Sequence, residues 1–151
     1  MPTAQLRHES NIAVYLMLKR GSKVLLVRRA NTGYQDGKYS LVAGHVEGRE
    51  SLTQALRREA KEEIGIKLSP KHIRLRHLMH RFSDDKKIYL DLFFSCSKWD
   101  GRIKNLEPHK CDDVSWHSLL KLPKNTIPYV REALQISAKK TNSVFRELGF
   151  K

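Results

Sequence analysis

Cysteine is nearly missing from this chain. Cys96 and Cys111 are the only 2 in 151 residues, and they show no metal-ligand spacing. A disulfide framework and a cysteine zinc site are thereby excluded, and a reducing, cytoplasmic setting is the economical expectation. No apolar run approaches the length of a membrane span. The opening stretch, Met1 to Asn11, is polar and lacks the apolar core of a secretory signal. Internal repeats and low-complexity linkers are also missing. The length of 151 residues suits one domain, 1–151, around one core. Acidic residues are in deficit: 16 Asp and Glu stand against 29 Lys and Arg, for a formal charge of +13. Such a field attracts polyanions, whether nucleoside polyphosphates or nucleic acid. No recognised nucleic-acid module or base-stacking platform accompanies it, so no specific nucleic-acid partner is expected.

What is present is concentrated between Gly44 and Ile66, read as G-H-V-E-G-R-E-S-L-T-Q-A-L-R-R-E-A-K-E-E-I-G-I. Ser51 and Gln54 form a capping box, and Gly65 supplies a stop, so a helix is predicted between them. Leu56, Ala60 and Ile64 recur every four residues as an apolar row. Glu59, Glu62 and Glu63 fall at i, i+3 and i+4 and form an acidic stripe beside that row. Like charges so spaced repel by roughly a few tenths of a kcal/mol per pair. Arg58 reaches Glu62 at i+4 but cannot neutralise three carboxylates. Mg²⁺ can, because it takes carboxylate and phosphate oxygens. A solvated charged helix face is the alternative reading of the same stripe.

The whole stretch resembles the Nudix box, G-x5-E-x7-R-E-U-x-E-E-x-G-U with U aliphatic. Gly44, Glu50, Arg58, Glu59, Ala60, Glu62, Glu63, Gly65 and Ile66 fall in register, with Ala60 small for its aliphatic position. The resemblance implies an α/β class fold, the Nudix α/β/α sandwich with a mixed sheet between helices. It implies a phosphoanhydride hydrolase that uses Mg²⁺ (or Mn²⁺) on a nucleoside diphosphate linked to a group X. On that footing Glu59, Glu62 and Glu63 hold the metal, with the Gly44 carbonyl completing the set. Glu50 binds metal or steadies its ligands, and Arg58 orients a glutamate. Glu59 is one candidate base. Glu107, an acid shortly before the last strand, is a further metal or base candidate, or a plain loop residue.

The substrate end is less marked. Leu122-Pro123-Lys124-Asn125 resembles the segment of MutT-like enzymes in which an asparagine reads a purine edge. Asn125 is equally a natural N-cap for the helix that follows. Tyr34, Tyr39 and Phe82 are stacking candidates whose default is core packing. Arg28 and Arg29 close an apolar run and are placed to face a phosphate or solvent. Many MutT-like members carry Pro-Gly-Gly where this chain has Ala43-Gly44-His45, which leaves the loop shape open. Arg81-Phe82 stand where ADP-ribose hydrolases carry a proline, and Ser83-Asp84 where diadenosine polyphosphate hydrolases carry a tyrosine. The proline-rich NADH signature is missing. By elimination a MutT-like (d)NTP pyrophosphohydrolase leads. A hydrolase of a nucleotide sugar, dinucleotide or other diphosphate is the alternative, and a non-catalytic nucleotide- or RNA-binding module stands behind it.

Around the box, Ile12 to Leu18 and Val24 to Val27 read as strands, the first buried on both faces. A loop follows, Ala30 to Gly37, and then a short strand, Lys38 to Ala43. Ile73, Leu75, His77 and Met79 alternate with Arg74, Arg76, Leu78 and His80. With Ile88 to Ser95 they form an antiparallel hairpin across the turn Ser83 to Lys87. On the second strand Asp91 is a site acid or a solvated one. Val114 to His117 is the last strand, and a helix starts near Asn125 with Pro128 in its first turn. The tail from Lys139 is basic, frayed or packed.

Overall fold

The computed structural model describes residues 7–139 and 144–151. Its strands are β1 (Asn11–Arg20), β2 (Lys23–Arg29), β3 (Tyr39–Ser40), β4 (Val42–His45), β5 (Lys67–Leu68), β6 (Arg74–Phe82), β7 (Ile88–Cys96), β8 (Trp99–Asp100), β9 (Cys111–Ser118) and β10 (Phe145–Leu148). The helices are α1 (Leu52–Ile64) and α2 (Pro128–Ala138). Strand β1 is the axis. It pairs in parallel with β7, antiparallel with β4, and through its far end antiparallel with β2. Beyond β7 lie β6 and then β10, the last pairing parallel; β2 in turn carries β3 and β9. The sheet is therefore mixed, as the resemblance implied.

The continuous apolar run of β1 is explained by a helix on each face. Val14, Leu16 and Leu18 pack with Ala55, Leu56, Ala60 and Ile64 of α1. Ala13, Tyr15 and Met17 point the other way, to Val130, Ala133 and Leu134 of α2. Period-2 alternation thus feeds two cores from one strand. Ala60, small for its place in the box, is fully buried and lets α1 approach the sheet.

Helix α1 begins and ends where its capping chemistry dictates. The Ser51 side chain accepts from the Gln54 N–H, and the Gln54 side chain accepts from the Ser51 N–H. Gly65 closes the helix in the left-handed region at φ 73°, and its N–H bonds back to Lys61. Ser51→Ala should cost about 1 kcal/mol of stability, read as a lower denaturation midpoint with an unchanged m-value.

Two expectations change, and a third falls on one of its alternatives. The alternation along β6 breaks, because the ladder to β7 slips between Leu75 and His77. The extra residue of this bulge leaves Leu75 at 52% exposure while His77 and Met79 turn inward. Helix α2 is capped by Ile127 with no side-chain bond, and Pro128 opens it, so Asn125 lies outside the helix and is not its N-cap. Part of the tail is ordered: Phe145 to Leu148 pair with Leu78 to Arg81, and Phe150 packs on His80 and Phe82. The start of that tail, at 140–143, lies outside the described residues. Among the described residues no helix is long and apolar enough to cross a membrane.

Candidate active site

The site is assembled where α1 crosses β4. Pairing with β1 sets Gly44 opposite Val14 and holds its backbone under the acidic stripe. A Cβ at Gly44 would sit 2.0 Å from Glu59 Oε1, so it is the missing side chain at Gly44 that lets the carboxylate approach this closely. Arg58 organises the acids around it. Its Nε donates to Glu50 Oε2 at 2.7 Å, and its Nη2 donates to Glu50 Oε1 at 3.0 Å and the His45 carbonyl at 3.1 Å. Its Nη1 donates to Glu59 Oε1 at 2.7 Å and to Glu62 Oε2 at 3.3 Å. Glu63 turns inward and accepts the Ala43 N–H at 3.1 Å. The loop before β9 folds over the end of α1 through Leu106 N–H to the Glu63 carbonyl, at 3.0 Å. That bond brings Glu107 to the same cavity.

Charge is unevenly balanced here. Burial first, then the charges of Glu59 and Glu107, push the Glu63 carboxyl well above the usual glutamate range. Burial also raises Glu59, against the pull of Arg58. Arg58 is itself held more firmly protonated, chiefly by Glu50. Among the described residues no three His, Cys, Asp or Glu side chains stand at ligating distance of one point. Arg58 Nη1 stands between Glu59 and Glu62, and all three carboxylates of the stripe line one cavity. The donor set still fits a hard divalent ion. It is all oxygen, it is crowded with negative charge, and Glu63 has no cation of its own among its hydrogen-bond partners.

A pH signature follows. Glu63 titrates near 4.5 when unfolded and higher when folded. The gain from a protonated Glu63 is therefore full below the unfolded value and is lost as pH rises through the folded one. In chelator, melting temperature should fall as pH rises above the ordinary glutamate range and through the raised value of the folded Glu63, and Mg²⁺ should restore most at the alkaline end. A calorimetric melting series with and without Mg²⁺ checks this; a pH-independent Mg²⁺ effect would contradict it.

The acids line a cavity of about 320 Å³ with Arg28, Arg29 and Lys110. Across Arg29, Ala43 and Gly44, which line both, lies a second cavity of about 340 Å³. Its walls are Tyr15, Tyr34, Tyr89 and Tyr129, with Arg81 among them. A larger hollow of about 520 Å³ lies behind α1, lined by Arg57, Lys61 and Lys67; Glu59, Glu62 and Glu63 do not line it.

The other expected site residues scatter. Arg28 lines the acid cavity but pairs with Asp112 at 2.6 Å. Tyr39 is buried and donates to Asp113. Phe82 lines neither of these two cavities and packs beside Phe150. Asn125 lines neither cavity, since its amide donates to the Gly37 carbonyl at 2.9 Å and ties down the loop before β3. Asp91 is neither a site acid nor solvated: it is fully buried and ion-paired with Arg81 at 2.7 Å. Sequence reasoning missed Tyr15, Tyr89, Tyr129 and Arg81. Only the inward phase of Tyr89 with Asp91 on β7 hinted at them.

Known proteins agree with this architecture. The NUDIX domain family matches residues 7–135. The chain belongs to the Nudix family and is a Nudix hydrolase, a class that acts on nucleotide or other diphosphate compounds and generally uses divalent metal ions. It is 28% identical over 121 residues to the 8-oxo-dGTP diphosphatase of Escherichia coli, covering 80% of this chain and 89% of that one. It is 27% identical over 117 residues to the NAD-capped RNA hydrolase NudC of Chromobacterium violaceum, covering 77% of this chain but only 41% of that protein. In fold it is similar to the MutT Nudix hydrolase of Burkholderia pseudomallei, with a TM-score of 0.78 at 22% identity over 85% of this chain and 98% of that one.

Proposed function

We propose that the chain is a Mg²⁺- or Mn²⁺-dependent pyrophosphohydrolase of nucleoside triphosphates of the MutT kind, releasing nucleoside monophosphate and pyrophosphate. The observation that supports this most is the junction of the two cavities at Arg29, Ala43 and Gly44. It sets an acid- and arginine-lined chamber for phosphates against a tyrosine-lined chamber for a nucleoside. Both have the size of ordinary small-ligand sites.

Glu59, Glu62 and Glu63, with the Gly44 carbonyl and Glu107, would hold the metal. A bound divalent ion neutralises phosphate charge and acidifies water. The chain's own groups do the rest. Arg58 holds Glu59 and Glu50 in place. Arg28, Arg29 and Lys110 supply positive charge where negative charge builds on the leaving phosphates. Glu59, made a stronger base by burial, takes the proton of the attacking water.

The similarity to the Escherichia coli diphosphatase over 89% of its length favours a triphosphate substrate. The NudC similarity favours a dinucleotide end as the second reading. Product analysis separates them, using purified protein, Mg²⁺, the (d)NTPs and NAD. Monophosphate with pyrophosphate is expected from a triphosphate. Turnover of NAD alone, giving two monophosphates, would replace this reading with the second.

A further inference from the structure

We propose that Arg81 reads a carbonyl edge of the base, so that the preferred substrates are nucleotides of keto bases. The inference rests on the nucleotide reading above and narrows it.

Arg81 sits on β6 and faces the core side occupied by α2. Its Nε donates to Asp91 Oδ2 at 2.7 Å and its Nη2 to Asp91 Oδ1 at 3.4 Å. Asp91 is 0% exposed and Arg81 5% exposed. The guanidinium is held between rings, 3.9 Å from the Tyr129 centroid and 4.6 Å from that of Tyr89. It is a rigid, oriented donor. Among the described residues no protein acceptor takes the Nη1 hydrogens, and Arg81 lines the tyrosine cavity. The hydroxyls of Tyr15 and Tyr129 bond to each other at 3.2 Å, which takes up one of their two protons.

Charge decides what the donor wants. Asp91 already balances Arg81, so the pair is neutral as a unit and a phosphate gains little there. Phosphates are better served toward the acid cavity by Arg29, whose hydrogen-bond partners are the Tyr34 carbonyl and the Thr32 hydroxyl rather than a carboxylate. A neutral acceptor fits the remaining N–H groups, and the surrounding tyrosine rings fit a planar heterocycle. A base carbonyl is both neutral and planar. An exocyclic amine would aim N–H at N–H and leave the buried guanidinium unpaired. A buried ion pair with no such task could be replaced by apolar side chains at little cost.

Two matched pairs of substrates test this. Inosine and adenosine triphosphates differ only along the C6–N1 edge, carbonyl with N1–H against amine with bare N1; uridine and cytidine triphosphates differ likewise along C4–N3. For whichever ring size is turned over, kcat/KM should favour the keto member by about tenfold or more. In the double variant Arg81→Met with Asp91→Leu, which leaves no buried charge unpaired, the ratio should fall to within about twofold. Arg81→Lys, which keeps the charge facing Asp91 but shortens the reach, should also shrink it and serves if the double variant does not fold. Equal rates for both members in the parent, or an amine preference, overturn the assignment and leave the nucleotide reading standing. So does a variant that keeps the parental ratio. If no triphosphate is hydrolysed, the nucleotide reading falls instead, and the calorimetric affinity ratio of inosine to adenosine triphosphate on the parent protein decides this inference alone.

Discussion

Glu63→Gln should lower kcat by about 10²–10⁴-fold in Mg²⁺ while the protein folds as before. The substitution keeps size and keeps an oxygen for the Ala43 N–H, now met at 3.1 Å by a carboxylate. What it removes is charge, at the place where charge is costliest to the fold and most useful to a cation. Two opposite effects are therefore expected from one change. In chelator the melting temperature rises, because a carboxyl pushed up by burial and by Glu59 is no longer there to ionise. In Mg²⁺ the stabilisation by the ion shrinks. Glu62→Gln serves as the comparison. Its side chain is 56% exposed and touches only Arg58 within the stripe, so turnover should fall with little change in melting. Steady-state kinetics beside calorimetry measures both. Near-parental kcat in the two variants would take the acidic stripe out of the site.

Gly44→Ala should cost about 10²-fold in kcat with little change in stability. The backbone at Gly44 does not need a left-handed conformation, so alanine is tolerated locally. Its methyl would nonetheless stand 2.0 Å from Glu59 Oε1 and 2.2 Å from its carboxyl carbon. The carboxylate has to leave, and with it the Arg58 contact at 2.7 Å. A displacement near 1 Å in a reacting group is enough for a loss of about 10²-fold. The diagnostic is non-additivity: once Glu59 is already truncated to alanine, Gly44→Ala should cost almost nothing more. Additive losses would mean that Gly44 acts through something other than Glu59.

The helix of the box was readable to its end residues because its signals are local. Ser51, Gln54 and Gly65 each act within one turn of the helix they delimit. Strand β1 was readable as buried on both faces, since a continuous apolar run of strand length fits that arrangement, but the identity of the covering helices was not. Leu75 shows the limit of periodicity. A single inserted residue between β6 and β7 reverses its face, and nothing in the alternation announces it. Asn125 shows a second limit. A side chain suited to a base edge or a helix cap was given a third task, holding the Gly37 carbonyl, 88 positions away in the chain.

The sequence by itself determined the acidic helix, its caps and the glycine before it, hence the family and the class of chemistry. Those features are written within a span of about six helical turns, and the spacing of an α-helix turns them directly into geometry. Tertiary structure alone decided which of the acids is buried and that Arg58 stands between Glu59 and Glu62. It alone built the tyrosine cavity and the Arg81–Asp91 pair. Tyr15, Tyr34, Tyr89 and Tyr129 come from β1, a loop, β7 and α2, and they meet because β1 and β7 pair in parallel register with α2 laid across them. Such a register is chosen by the burial of two whole faces at once, a cooperative property that no local period in the chain encodes.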